Sequence, residues 1–151
     1  MNELVFSIKL ESPIQKLVPC IMDLESYPLM LPRQLKNIKI LSETEEGIKT
    51  EETLMFKTLV KNEIKQTSIH KKISNNHINS KILSGPASGT NIDIELTELE
   101  GKTDVNVKVK LKLSVKALFL FPIIKKVYKN LLTGILLKIE NSIQSKGENY
   151  V

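Results

Sequence analysis

Val105-Asn106-Val107-Lys108-Val109-Lys110-Leu111-Lys112-Leu113 alternates without a break between apolar and polar side chains. A period of two over nine residues is that of a β-strand with one face buried and one in water. Upstream, Ile92-Asp93-Ile94-Glu95-Leu96 repeats the pattern with acids in place of lysines. A two-residue turn at Glu100-Gly101 or at Gly101-Lys102 joins the two as a hairpin. Either register sets Asp93 and Glu95 on the side of Lys108 and Lys110, so the lysine row is a solvated face paired with acids.

The same reading extends toward the N-terminus. Strands are predicted near 37–44, 48–59, 63–73, 77–84, 90–99 and 103–115, separated by Glu45-Glu46-Gly47, Lys61-Asn62, Asn75-Asn76, Gly85-Pro86 with Gly89, and Glu100-Gly101-Lys102. Each separator is short and holds turn formers, so consecutive strands pair as antiparallel hairpins. Leu4, Phe6, Ile8 and Leu10 mark one more strand at the start of the chain. Ser12-Pro13 follows as a helix start, with Leu17, Cys20, Ile21 and Leu24 at helical spacing. Ser26-Tyr27-Pro28 begins a second short helix that Pro32 ends.

Beyond the hairpin, Ile124, Val127, Tyr128, Leu131, Leu132, Ile135, Ile139 and Ile143 recur at i, i+3, i+4 spacing, which predicts a helix from about Pro122 to about Ser145. Gly134 inside it costs about 1 kcal/mol relative to alanine, so close packing or a bend is expected there. The fold class is therefore α+β: a curved antiparallel sheet of about seven strands wrapped around a long C-terminal helix, with two short helices after strand one. Residues 1–151 form one domain in this reading. A sheet curled around a single helix tends to leave space between them, which suits an apolar ligand.

Composition narrows the function. Arg33 is the only arginine, aromatic residues make up 5%, and the excess positive charge lies in residues 103–151, with 9 basic and 3 acidic side chains. Bidentate reading of phosphate or guanine favours arginine, so nucleic acid is not the expected partner. One cysteine, Cys20, rules out an internal disulfide, and no secretory leader opens the sequence. The expected location is cytoplasmic. The most apolar run, Ala117–Ile124, is shorter than the ~20 residues of a membrane span. Phe119, Leu120, Phe121 and Pro122 beside Lys125, Lys126 and Lys129 nevertheless match peripheral contact with an anionic membrane.

No Gly-rich phosphate loop, Gly-x-Ser-x-Gly elbow or His-Glu-x-x-His is present, so no cofactor is expected. His70 and His77 are both expected to face solvent, and no spacing of His, Cys and carboxylates suits a metal. The polar pair that stands out is Glu52 with Lys71. If Lys61-Asn62 is a two-residue turn, Glu52 lies opposite Lys71, Leu54 opposite Ile69 and Phe56 opposite Thr67. The pair then shares the concave face with apolar residues, where it would orient the polar end of a ligand; the alternative is a strand-end ion pair at the sheet rim, worth little.

The sequence also resembles the helix-grip superfamily of START-like and polyketide cyclase/dehydrase-like (SRPBCC) proteins. Ser12-Pro13, the stretch Asp23-Leu24-Glu25-Ser26-Tyr27-Pro28 followed by Leu31-Pro32, and Gly85-Pro86 carry the resemblance, which is nearest to the coenzyme Q-binding branch. It implies binding or transport of a hydrophobic small molecule, lipid, isoprenoid quinone or polyketide-like, between sheet and helix, with Arg33 near the cavity mouth. The expected lining is Glu52, Leu54, Phe56, Ile69, Lys71, Leu96, Val107, Val109, Leu111, Tyr128, Leu131 and Ile135. The alternative is a cyclase or dehydratase acting on a polyketide-like substrate, with Glu52, Lys71 and Tyr128 as its only acid or base groups.

Overall fold

Alternating side chains produce seven strands: β1 (Glu3–Leu10), β2 (Leu35–Thr44), β3 (Gly47–Met55), β4 (Glu63–Ser74), β5 (His77–Ile82), β6 (Asn91–Leu99) and β7 (Lys102–Lys110). The computed structural model describes residues 2–55 and 63–148, without the side chains of 147 and 148. The strands form one curved antiparallel sheet in the order β1-β7-β6-β5-β4-β3-β2. All neighbours except β1 and β7 are sequential hairpins, so the chain crosses the sheet only once. Leu99 pairs with Lys102, which makes Glu100-Gly101 the two-residue turn. Both of its residues have positive φ, 55° and 80°, the hairpin geometry that glycine accepts without cost.

Among the described residues three helices complete the fold: α1 (Ile14–Ile21), the single turn α2 (Tyr27–Met30), and α3 (Phe121–Glu148). Short 3₁₀ segments at Leu24–Ser26 and Val115–Leu120 lead into α2 and α3. This is the helix-grip arrangement the sequence predicts. Ser12 does not cap α1 as its sequence position suggests. The Ile14 backbone N–H donates instead to the Glu98 carboxylate at 2.7 Å, while Ser12 Oγ donates to Glu140 of α3. Glu140 also accepts from the Ser12 N–H at 3.0 Å and from the Glu11 N–H. Thr103 Oγ1 donates to the Ser12 carbonyl at 2.7 Å. The long helix is thus tied to the corner between β1 and α1 by one buried carboxylate.

Gly134 is explained by close packing. A Cβ there would stand 3.2 Å from both methyl groups of Leu31, which follows α2. α3 also packs on β1 and α1. On that side of the sheet the interior is solid: Leu96, Val105, Val107, Val109 and Ile139 have no exposed surface, and Leu10, Leu111 and Leu136 are buried with them. The remaining space lies toward β2–β6.

Candidate functional site

The inner faces of β3, β4 and β5 differ from those of β1, β7 and β6. From β3 come Thr50, Glu52 and Leu54, from β4 Gln66, Ser68 and His70, and from β5 Ile78, Ser80 and Ile82. Pairing explains the combination, since Thr50 opposes Ser68, Glu52 opposes Gln66 and Leu54 opposes Ile64. The polar side chains gather on adjacent strands under the first half of α3. A cavity of about 90 Å³ lies between them and that helix. Its apolar wall includes Ile78, Ile82, Ile92 and Ile94 from the sheet, Leu131, Leu132 and Ile135 from α3, and Leu24 and Tyr27 from the α2 region.

Lys71 does not pair with Glu52. In the β3–β4 ladder Met55 stands opposite Glu63 and Glu52 opposite Gln66, a different register from the one expected; the expected turn at Lys61-Asn62 itself lies outside the described residues. That change of register reverses the facing of β4. Lys71 is exposed, Ile69 is half-buried on the outer side, and His70 turns inward with only 9% of its surface exposed. The expectation of an outward His70 is overturned for the same reason. Phe56 lies outside the described residues. Leu96, Val107, Val109 and Leu111 are buried in the core cluster and are not among the residues lining the cavity. Five of the expected residues do meet at the cavity: Glu52, Leu54, Tyr128, Leu131 and Ile135. Arg33 is exposed and does not line it.

The polar groups form one chain of contacts. His70 Nδ1 lies 2.7 Å from Ser80 Oγ, and Nε2 lies 3.0 Å from Thr50 Oγ1 and 3.5 Å from Glu52 Oε1. Both imidazole nitrogens are therefore partnered within the protein. Glu52 is 6% exposed, and no group among the described residues reaches its Oε2 within hydrogen-bond distance. A buried acceptor in that condition costs about 1–3 kcal/mol. Tyr128, buried on α3, has its hydroxyl pKa raised well above the ordinary range, by desolvation first and by the Glu52 carboxylate second. A side-chain hydrogen bond with Gln66 offsets part of that rise. Tyr27 is raised too, mainly by burial, and its hydroxyl donates to the Ile21 carbonyl.

Other titratable groups lie apart from the cavity. His77 Nε2 is 2.8 Å from Asp93 Oδ1 on the outer face, where Asn79 and Asn91 also donate to that carboxylate. Among the described residues, no three His, Cys, Asp or Glu side chains come together in a group fit to hold a metal. Cys20 is half-buried against the core. At the start of α3 the apolar tip divides: Leu120 and Phe121 pack inward, whereas Val115, Leu118 and Phe119 are 85%, 50% and 78% exposed. Among the described residues, no helix is long and apolar enough to cross a membrane.

No known family model matches the chain. No curated protein matches it either. Solved structures do share its fold. A START superfamily protein from Mycobacterium smegmatis superimposes with a TM-score of 0.76 at 14% identity, over 95% of this chain and 97% of the other. The Zhui aromatase/cyclase from Streptomyces sp. R1128 gives 0.80 at 11% identity, over 94% and 93%. Ara h 8.0201 gives 0.72 at 17% identity, over 95% and 99%. The chain has the START-like fold.

Proposed function

We propose that this chain is a single ligand-binding domain that holds or carries an apolar small molecule between its sheet and α3. The observation that carries the reading is the cavity itself, an apolar space with one buried polar cluster at its β3–β4 wall. Binding would draw on desolvation of about 25 cal/mol per Å² of apolar surface, with the polar cluster fixing orientation. Glu52, Leu54, Tyr128, Leu131 and Ile135 are the lining residues we assign to it, together with Gln66, Ser68 and His70.

Volume limits the ligand. About 90 Å³ is less than the ~150 Å³ engineered cavity that admits benzene, and well below the ~300–1,000 Å³ of pockets for drug-sized molecules. A sterol-sized body enters only if the half-buried Leu131 and Leu132 move outward with α3. Organic extraction of the protein purified under native conditions, followed by mass spectrometry, tests the reading. A stoichiometric apolar compound supports it. An empty protein whose melting temperature does not rise with any added lipid or quinone counts against it.

Loading at a membrane fits the surface. Val115, Leu118 and Phe119 stand out beside the exposed Lys116, Lys126 and Lys129, which complements an anionic bilayer. Flotation with anionic vesicles should be salt-sensitive and should fall severalfold in Phe119→Ser, and flotation that Phe119→Ser leaves unchanged argues against it. A second reading, a cyclase or dehydratase, is favoured by the approach of His70 to Glu52 inside the cavity. Lys71, exposed on the outer face, has no part in it. Turnover of a polyketide-like probe, lost in Glu52→Gln with binding retained, would establish that reading.

A further inference from the structure

The chemistry of the ligand's polar end follows from two properties of the cavity wall. The first is its charge. Among the described residues that line it, Glu52 is the only carboxylate, and there is no lysine or arginine. A carboxylate- or phosphate-ended ligand would meet a buried carboxylate with no lysine or arginine beside it, an arrangement that desolvation makes costly.

The second property is which polar atoms are already engaged. His70 is held at both nitrogens, by Ser80 and by Thr50 with Glu52. Gln66 lies beside the Tyr128 hydroxyl and lowers its pKa. Glu52 Oε2 is the buried side-chain atom left without a partner among the described residues. An ionised carboxylate oxygen accepts hydrogen bonds and does not donate them. Its complement is therefore an N–H or an O–H. A quinone ring, whose carbonyls only accept, does not provide one.

We infer that the cavity selects apolar molecules ending in a hydrogen-bond donor, an amine or a hydroxyl, bound to Glu52 Oε2, and rejects acid-ended lipids. This rests on the reading of the cavity as a ligand site, and goes beyond it by naming the head group. The mechanism is one of selectivity by burial. A site built around an unpaired buried acceptor discriminates strongly against an isostere that lacks the donor, because the acceptor then stays unpaired.

Four small probes of similar size separate the possibilities: butylamine, 1-butanol, methoxypropane and butanoate. Each is titrated into the full chain at neutral pH while the isoleucine methyl resonances are followed. Butylamine or 1-butanol should bind at least about tenfold tighter than methoxypropane, the isostere of the alcohol without a donor, and butanoate should be weakest. The ratio of amine to alcohol identifies the preferred head. In Glu52→Leu the preference should vanish while methoxypropane still binds. Equal binding of methoxypropane and 1-butanol, or butanoate binding as well as the amine, overturns the inference and leaves the apolar-ligand reading standing. Failure of all four probes overturns both. The wild-type series decides the matter even if Glu52→Leu does not fold.

Discussion

Replacing Glu52 by methionine should make the protein more stable, not less. The side chain is 6% exposed, its Oε1 is 3.5 Å from His70 Nε2, and its Oε2 has no partner among the described residues. Methionine has similar length and leaves no buried acceptor. His70 would keep Ser80 at 2.7 Å and Thr50 at 3.0 Å, so its ring need not lose a partner on either side. What is recovered is the desolvation penalty of the orphaned oxygen, about 1–3 kcal/mol. Apolar replacement of buried ion pairs gives changes of the same sign and size. For a chain of this length each kcal/mol moves the melting temperature by about 2–4 °C, so a rise of roughly 2–12 °C is expected. Urea unfolding followed by circular dichroism measures the change from the midpoint at constant slope. A loss of more than about 1 kcal/mol would show that the Glu52–His70 pair holds the fold together, and would refute its reading as a group kept for ligand recognition at the expense of stability.

Glu140→Ala should act in the opposite direction. It removes the acceptor of the Ser12 hydroxyl and of the Glu11 and Ser12 backbone N–H groups, at a cost of about 3 kcal/mol or more, readable in the same unfolding assay. Gly134→Val adds a branched side chain where even a Cβ would stand 3.2 Å from the Leu31 methyls. It should cost about 1–3 kcal/mol, and an unchanged midpoint would show that Leu31 can yield. At Asp93, desolvation raises the carboxyl pKa, but hydrogen bonds from Asn79, His77 and Asn91 and the charge of His77 outweigh it and hold the group below the usual range. A depressed carboxyl stabilises above its unfolded pKa, and the benefit is lost as pH falls through the folded value. Asp93→Asn should therefore lose a few tenths of a kcal/mol less than wild type between about pH 5 and pH 2, a small effect because the network is partly solvated.

Strand content, sheet connectivity and the gripping helix were legible because each rests on a local period. Alternation in β1, β6 and β7 continues through whole strands, and the turn between β6 and β7 admits only registers with the same facing. The candidate site was harder to read because it depends on where one hairpin closes. Lys61-Asn62 has turn-forming composition, but Met55 stands opposite Glu63, a register that moves the partner of Glu52 from Lys71 to Gln66 and exchanges the faces of β4. Apolar patterning could not correct this. Ile64 shares the inward parity of β4, whereas Ile69 and the half-exposed Ile73 share the outward one. The inward residues Gln66, Ser68 and His70 are polar, and a rule that places apolar residues inside reads such a strand backwards. One signal was available: in the observed register Thr50 meets Ser68 and Glu52 meets Gln66, so each buried polar group faces another. The packing of Leu96, Val107, Val109 and Leu111 away from the cavity was not legible, since alternation marks a buried face and not which part of it borders a space.

The central claim is that an apolar molecule occupies the space between α3 and the β3–β6 wall. Isoleucine methyl spectra test it most directly. Ile78, Ile92, Ile94 and Ile135 line the cavity, whereas Ile69 and Ile73 lie on the outer side of β4. Adding the compound recovered by extraction to protein freed of it should shift the first four resonances in saturable fashion and leave the other two in place. Shifts confined to Ile69 and Ile73, or no saturable shift at any of the six, would contradict the claim.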